Sequence, residues 1–278
     1  MTKRDPKAPF VPERDALKPP ILECVHLGID FGGLTAVDDF CITIGPTEIC
    51  GLIGPNGAGK TTIFNLLTKV YQPTRGSMYI QGVDTKNLNS AKANKAGLAR
   101  TFQNIRLFKN MSVLENVLVG LHNEIGYGMG KAIFRLPAYW RAEKKAREQA
   151  LELLAIFDMQ EFAELKAGNL PYGSQRRLEI VRALATSPAV LLLDEPAAGM
   201  NPAETEELME NIKKINSMFQ IAIVLIEHDM RLVMGICEGI AVLNYGKLIA
   251  KGKPAEIQNN PTVIEAYLGK SQGGEAGA

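Results

Sequence analysis

The sequence predicts an α/β protein with a mostly parallel sheet, on three observations. After Gln175 short apolar strands alternate with helix-length segments. A strand-rich stretch precedes them from Ile21 to about Ile80. Between two of its elements lies a complete GxxxxGK[ST] loop, Gly54-Pro55-Asn56-Gly57-Ala58-Gly59-Lys60-Thr61.

The elements follow in order. Met1 to Pro20 carries five prolines and many charges without apolar periodicity, and reads as a disordered or loosely draped arm. Apolar, β-branched segments then recur at Ile21 to Val25, Cys41 to Ile44, Ile49 to Ile53 and Met78 to Ile80, with one helix at Thr61 to Leu67. Between about Ile105 and Ala167 the pattern turns helical: Met111 to Leu121, a break at Gly126 to Gly130, then Ala138 to Phe157. In that last stretch Ala146, Ala150, Leu153, Leu154 and Phe157 share one face. A helix to Ala185, the strand Val190 to Leu193, a helix after Asn201, the strand Ile221 to Ile226, a helix after Asp229 and the strand Gly239 to Leu243 complete the alternation. Asn201 can cap its helix, with Pro202 first and Glu204 in the capping-box position. The small, polar tail Lys270 to Ala278 is expected to be flexible.

Composition narrows the function. With 278 residues and 46% hydrophobic content a sizeable core is expected. Lys plus Arg (31) nearly cancels Asp plus Glu (30), so no strongly basic surface recommends nucleic acid as a partner. The four cysteines lack CxxC spacing and only three histidines exist, which predicts neither a disulfide framework nor a zinc cluster. No apolar run reaches the roughly 18 to 20 residues needed to span a bilayer, and the N-terminus has no signal-peptide apolar region, so any service to a membrane is expected from outside the lipid.

The phosphate loop follows a strand and opens a helix, the setting its chemistry requires. Its glycines let backbone N–H groups turn towards phosphate oxygens, and the helix N-terminus points its positive end at the same place. Lys60 would neutralise the β/γ-phosphates and the Thr61 hydroxyl would ligate magnesium. The apolar run Val190 to Leu193 ends in two acids, Asp194 and Glu195, at the strand end where open α/β sheets bind ligands. Asp194 suits magnesium; Glu195 suits polarising an attacking water. Gln103 stands where the strand-rich part meets the helical insert, and could touch magnesium or water, although a lone Gln in a loop is usually just solvated. His228 closes the strand Ile221 to Ile226; a lone His there is more often structural, but its strand-end position favours a γ-phosphate contact.

In this order the motifs resemble the ATPase cassette of ABC transporters: Gly54 to Thr62, Gln103, Leu170-Pro171-Tyr172-Gly173-Ser174-Gln175, Asp194-Glu195-Pro196 and His228. The resemblance covers about Ile21 to Gly269. Phe31-Gly32-Gly33-Leu34, Arg100-Thr101-Phe102-Gln103, Ala197-Ala198-Gly199-Met200-Asn201-Pro202 and Glu227-His228-Asp229-Met230 make it look most like the larger ATP-binding subunit of branched-chain amino acid importers. The resemblance implies a P-loop NTPase cassette with a RecA-like mixed sheet core, an N-terminal antiparallel β subdomain and a helical insert at about 105–170. It implies ATP and Mg2+ as cofactors, with Phe31 stacked on adenine, Gly54 to Thr62 around the phosphates, and Thr61, Gln103 and Asp194 about the metal. Glu195, His228 and Gln103 would act in hydrolysis.

Each nucleotide would lie between two cassettes, one supplying Lys60-type contacts and the other its signature. Here the signature departs from the usual Leu-Ser-Gly-Gly-Gln: Leu170 and Gly173 remain, while Pro171 replaces the serine that normally meets the γ-phosphate. Backbone N–H groups after Gly173 can still attract phosphate. The implied partners are a second, homologous cassette, polytopic permease subunits and, indirectly, a periplasmic or extracellular binding protein, at the cytoplasmic face of the inner membrane. Import of urea or amides, export of lipopolysaccharide, and a soluble nucleotide-dependent switch remain alternatives.

Overall fold

A computed structural model of the chain describes residues 10–122 and 137–268. The break at Gly126 to Gly130 and the tail from Lys270 lie outside the described residues.

The N-terminal part is an antiparallel sheet of four strands: β1 (Leu22–Phe31), β2 (Leu34–Ile44), β4 (Arg75–Ile80) and β5 (Val83–Asp84), in the order β2-β1-β4-β5. Between β2 and β4 the chain enters a second sheet through β3 (Ile49–Ile53) and helix α1 (Lys60–Leu67). After β5 come α2 (Ser90–Lys95) and β6 (Leu98–Arg100), then the helical region with α3 (Val113–Leu121), α4 (Pro137–Ala155) and α5 (Tyr172–Leu184). β7 (Val190–Asp194), α6 (Pro202–Phe219), β8 (Ala222–Ile226), α7 (Met230–Ile236) and β9 (Gly239–Asn244) restore the alternation, and β10 (Lys247–Gly252), α8 (Pro254–Gln258) and α9 (Pro261–Leu268) follow.

The second sheet has six strands in the order β10-β9-β3-β8-β7-β6. All are parallel except β10, which pairs antiparallel with β9. Both faces of this sheet are covered, which explains the unbroken apolar runs of its central strands. Leu191, Leu193, Ile223 and Leu225 join a core with α3 to α6, while Val190, Leu192, Val224 and Ile226 join a second core with α1 and the antiparallel sheet. Alternating side chains of one strand thus serve two cores.

The capping box expected at Asn201 is present: Asn201 Oδ1 accepts the Ala203 and Glu204 N–H groups, and Glu204 accepts that of Asn201. The N-terminal arm requires a correction. Over Phe10 to Pro20 the chain is docked, with a 3-10 turn at Glu13–Asp15 and Asp15 fully buried. Asp15 accepts the Thr47 N–H at 3.0 Å and its hydroxyl at 3.1 Å, while Arg14 pairs with Glu238. Proline-rich composition conceals this, because a single carboxylate that satisfies the β2–β3 turn is enough to tie the segment down.

Candidate functional site

Parallel pairing places the carboxyl ends of β3, β8, β7 and β6 along one edge of the six-stranded sheet, and Lys60, Gln103, Asp194, Glu195 and His228 stand at or after those ends. The loop after β3 is shaped by glycine. Gly54 has φ +154°, and a Cβ there would stand 2.2 Å from the Leu243 carbonyl oxygen. Gly57 and Gly59 also have positive φ, +77° and +99°, and Gly59 caps α1. Lys60 is buried and turns back on the loop, its Nζ donating to the Gly54 carbonyl at 2.6 Å and the Pro55 carbonyl at 2.9 Å. Burial pulls the Lys60 ammonium below its ordinary range, and the Glu195 carboxylate partly offsets this. Ala58 is buried, whereas Asn56, Gly57 and Thr61 are exposed and Pro55 and Thr62 half-buried.

At the ends of β7 and β8 three predicted residues meet. Gln103 Nε2 donates to Glu195 Oε2 at 2.6 Å, and His228 Nε2 stands 2.9 Å from Glu195 Oε1. Glu195 itself adopts a left-handed backbone, φ +48°, which turns its carboxylate out of the strand line. Asp194 is buried and pairs with Arg100, Nη2 to Oδ2 at 2.6 Å. Phe31, at the end of β1, is partly exposed and meets Tyr71 edge-on with ring centroids 5.2 Å apart.

The signature segment stands at a different place, at the start of α5. Leu170 is buried and Tyr172 exposed. Pro171 occupies the N-cap without a side-chain bond, so this helix end has no capping hydroxyl. Ser174 lies inside the first turn and its Oγ accepts from Arg177 at 3.2 Å. Gly173 would bring a Cβ to 3.3 Å from the Glu204 carboxylate of α6.

Two residues escaped the sequence reading. Arg100 lies at the end of the short strand β6, with its guanidinium over the rings of Phe64 and Phe102 and Nη1 donating to Asn65. Glu227 is buried behind His228 and accepts the N–H groups of Ala197 at 2.7 Å and His228 at 3.0 Å, tying the chain after β7 to the chain after β8. For Glu227 the available signal was a charged residue directly after an apolar strand; for Arg100, on a three-residue strand, there was none.

A phosphate loop at one strand end and paired acids at another define a class, the P-loop ATPases. The ABC transporter family profile matches residues 37–198, and this chain belongs to that family. A second profile, described as branched-chain amino acid ATP-binding cassette transporter, matches residues 247–272. The high-affinity branched-chain amino acid transport ATP-binding protein BraF of Pseudomonas aeruginosa is 46% identical, over 91% of this chain and 99% of that protein. LivG of Escherichia coli K12, of the same description, is also 46% identical with the same coverage. Among solved structures, an ATP-binding cassette of an ABC transporter in its ADP conformation superposes with a TM-score of 0.78 at 29% identity, covering 91% of this chain and all of that one. The expected fold class and ATPase activity are thereby borne out. Among the described residues no helix is long and apolar enough to cross a membrane.

Proposed function

We propose that this chain is the ATP-hydrolysing subunit of an importer for branched-chain amino acids, working at the cytoplasmic face of the membrane on a separate permease. The matched C-terminal profile and two relatives at 46% identity support the cargo. The second cassette is a homologous, different chain, and a binding protein outside the membrane delivers the amino acid.

The single observation that carries the mechanism is Glu195 held between Gln103 and His228 at one end of the parallel sheet. In this reading ATP lies along Gly54 to Thr62 with adenine against Phe31. The loop suits phosphate because Gly54 cannot carry a Cβ and the α1 N-terminus opens onto it. Lys60 exchanges its bonds to the loop carbonyls for phosphate oxygens. Thr61 and Gln103, with Asp194, would hold magnesium, which would offset the charge on the phosphate oxygens. Asp194 fits that role because Arg100 occupies only Oδ2. Glu195 accepts the proton of the attacking water, Gln103 and His228 orient that carboxylate, and His228 reaches the γ-phosphate. Leu170 to Ser174 serve the nucleotide on the second cassette through the backbone N–H groups of the first turn of α5, since Pro171 supplies neither a hydroxyl nor an N–H.

The test is to isolate the complex from membranes through this chain and identify the other subunits. A polytopic permease, a second cassette and amino-acid-stimulated ATPase activity are expected. Recovery of the chain without any permease would refute the transport reading.

A further inference from the structure

We propose that the bulge between β1 and β2 is a binding site for a divalent transition metal of the zinc class, with His26, Asp39 and Cys41 as ligands. The spacing of these residues carries no metal signature, and the fold alone assembles them. β1 and β2 pair as Cys24 with Ile42 and then Leu27 with Phe40, so β1 spends one residue more than β2 in this interval. His26 comes to lie against Cys41, and its N–H donates to Cys41 Sγ at 3.2 Å. Asp39 directly precedes Phe40 and reaches the same point. Both His26 and Asp39 adopt left-handed backbone, φ +50° and +54°, a conformation that side chains rarely take and that is here used twice around one thiol.

Three different ligand atoms converge. His26 Nδ1 lies 2.5 Å from Asp39 Oδ1 and 3.7 Å from Cys41 Sγ, and Sγ lies 3.9 Å from Asp39 Oδ1. Tetrahedral zinc with ordinary bond lengths separates sulfur from nitrogen or oxygen by about 3.6 Å and nitrogen from oxygen by about 3.4 Å. The two sulfur edges are thus within a few tenths of an ångström of the required figure. The nitrogen–oxygen edge must open, and both groups that move are on the surface, with side chains 60% and 41% exposed. The thiol is buried beneath them. Binding forms metal bonds to Sγ, Nδ1 and Oδ1; the thiol proton passes to solvent, and His26 ligates as the neutral imidazole that carries its proton on Nε2.

The imidazole–carboxylate–thiolate set selects zinc, cobalt or a similar borderline ion over magnesium, which prefers oxygen. The site is therefore chemically separate from the acids Asp194 and Glu195. A metal here would cross-link β1 and β2, the hairpin whose β1 end presents Phe31.

Cobalt titration of the tag-free, reduced, nucleotide-free full chain tests the proposal. A sulfur-to-cobalt charge-transfer band in the near ultraviolet is expected, at one equivalent, displaced by zinc. Cobalt bound by Asp194 and Glu195 lacks sulfur and gives no such band. His26→Gln and Asp39→Asn, both surface changes that leave the core intact, should weaken cobalt binding at least about tenfold, and Cys41→Ser should abolish the band. Zinc should raise the melting temperature of the wild type and not of these variants. Absence of the band in the wild type, or a band unchanged in Cys41→Ser, overturns the proposal.

Discussion

Arg100 reaches across the carboxyl ends of two neighbouring strands to Asp194, Nη2 to Oδ2 at 2.6 Å, with both side chains 7% exposed. Asn65 and the rings of Phe64 and Phe102 hold the guanidinium from its other sides. Removing one member of a buried pair leaves an uncompensated charge, which costs far more than the intact pair contributes. Arg100→Ala should therefore lower the unfolding free energy by about 3–5 kcal/mol, measured by urea denaturation. A loss within the range of ordinary surface substitutions, about 0.5 kcal/mol, would show that water reaches Asp194 freely.

The visibility of the site in the sequence follows the same geometry. Gly54 to Thr61 is legible because phosphate-sized curvature demands glycine at fixed spacing, and Val190 to Glu195 because a strand buried on both faces has no polar residue until its end. Arg100 is not legible: β6 is only three residues long, too short to display a period, and without it the sequence cannot place Gln103 beside Glu195. Phe10 to Pro20 fails for another reason, since one buried carboxylate, Asp15, outweighs a composition that otherwise reads as unstructured. β10 and the two helices after it lie beyond the motifs, and half-buried residues such as Leu248, Ile249 and Ala250 leave no clean alternation.

Hydrolysis and nucleotide binding should separate at Glu195 and Lys60. Glu195→Gln keeps the size of the side chain and removes the proton acceptor, so phosphate release should fall by about 10²- to 10⁴-fold while ATP affinity stays close to that of the wild type. Lys60→Ala removes both the proposed phosphate contact and the bonds that Nζ makes to Gly54 and Pro55. Weaker nucleotide binding is expected there, read by fluorescence titration with a labelled ATP. Undiminished turnover in Glu195→Gln would transfer the base role to another group.

Stability should depend on pH through Glu227. Burial raises its carboxyl above the ordinary 4.5, against three backbone N–H donors that favour the charged form. A carboxyl raised in the native state holds its proton more tightly folded than unfolded. Its stabilising contribution is complete below pH 4.5 and is lost as the pH rises through the folded value. Glu227→Gln lacks that dependence and carries only a constant offset for its altered bonds to Ala197 and His228. The wild type should lose stability relative to the variant as the pH rises from 4.5 through the folded value, measured by paired urea melts. A gap that stays constant across this range would place Glu227 at its unfolded value.

The signature helix grips the Gln103 loop through a buried pair, beside a bond from Arg182 Nη1 to the Arg106 carbonyl at 2.6 Å. Arg176, 2% exposed on α5, donates from Nη1 to the Phe102 carbonyl at 2.7 Å, and Glu179, one turn on and 1% exposed, accepts the Arg106 N–H at 3.1 Å. The two side chains face each other at 3.7 Å, while burial raises the Glu179 carboxyl. Arg176 Nε and Glu179 Oε2 have no hydrogen-bond partner, so the pair is imperfectly satisfied. Such an arrangement is expensive to break singly and cheaper to replace whole. Arg176→Met alone should cost about 3–5 kcal/mol by removing the nearer of two guanidinium groups beside Glu179, Arg182 remaining at 3.9 Å. Adding Glu179→Met should recover part of that loss, with a coupling of about 0.5–3 kcal/mol in the double-mutant cycle. Because the clamp joins the helix that opens at Tyr172 to the loop that ends at Gln103, the stable double variant should still lose ATPase turnover. Full activity in that variant would mean the signature helix and the Gln103 loop move independently.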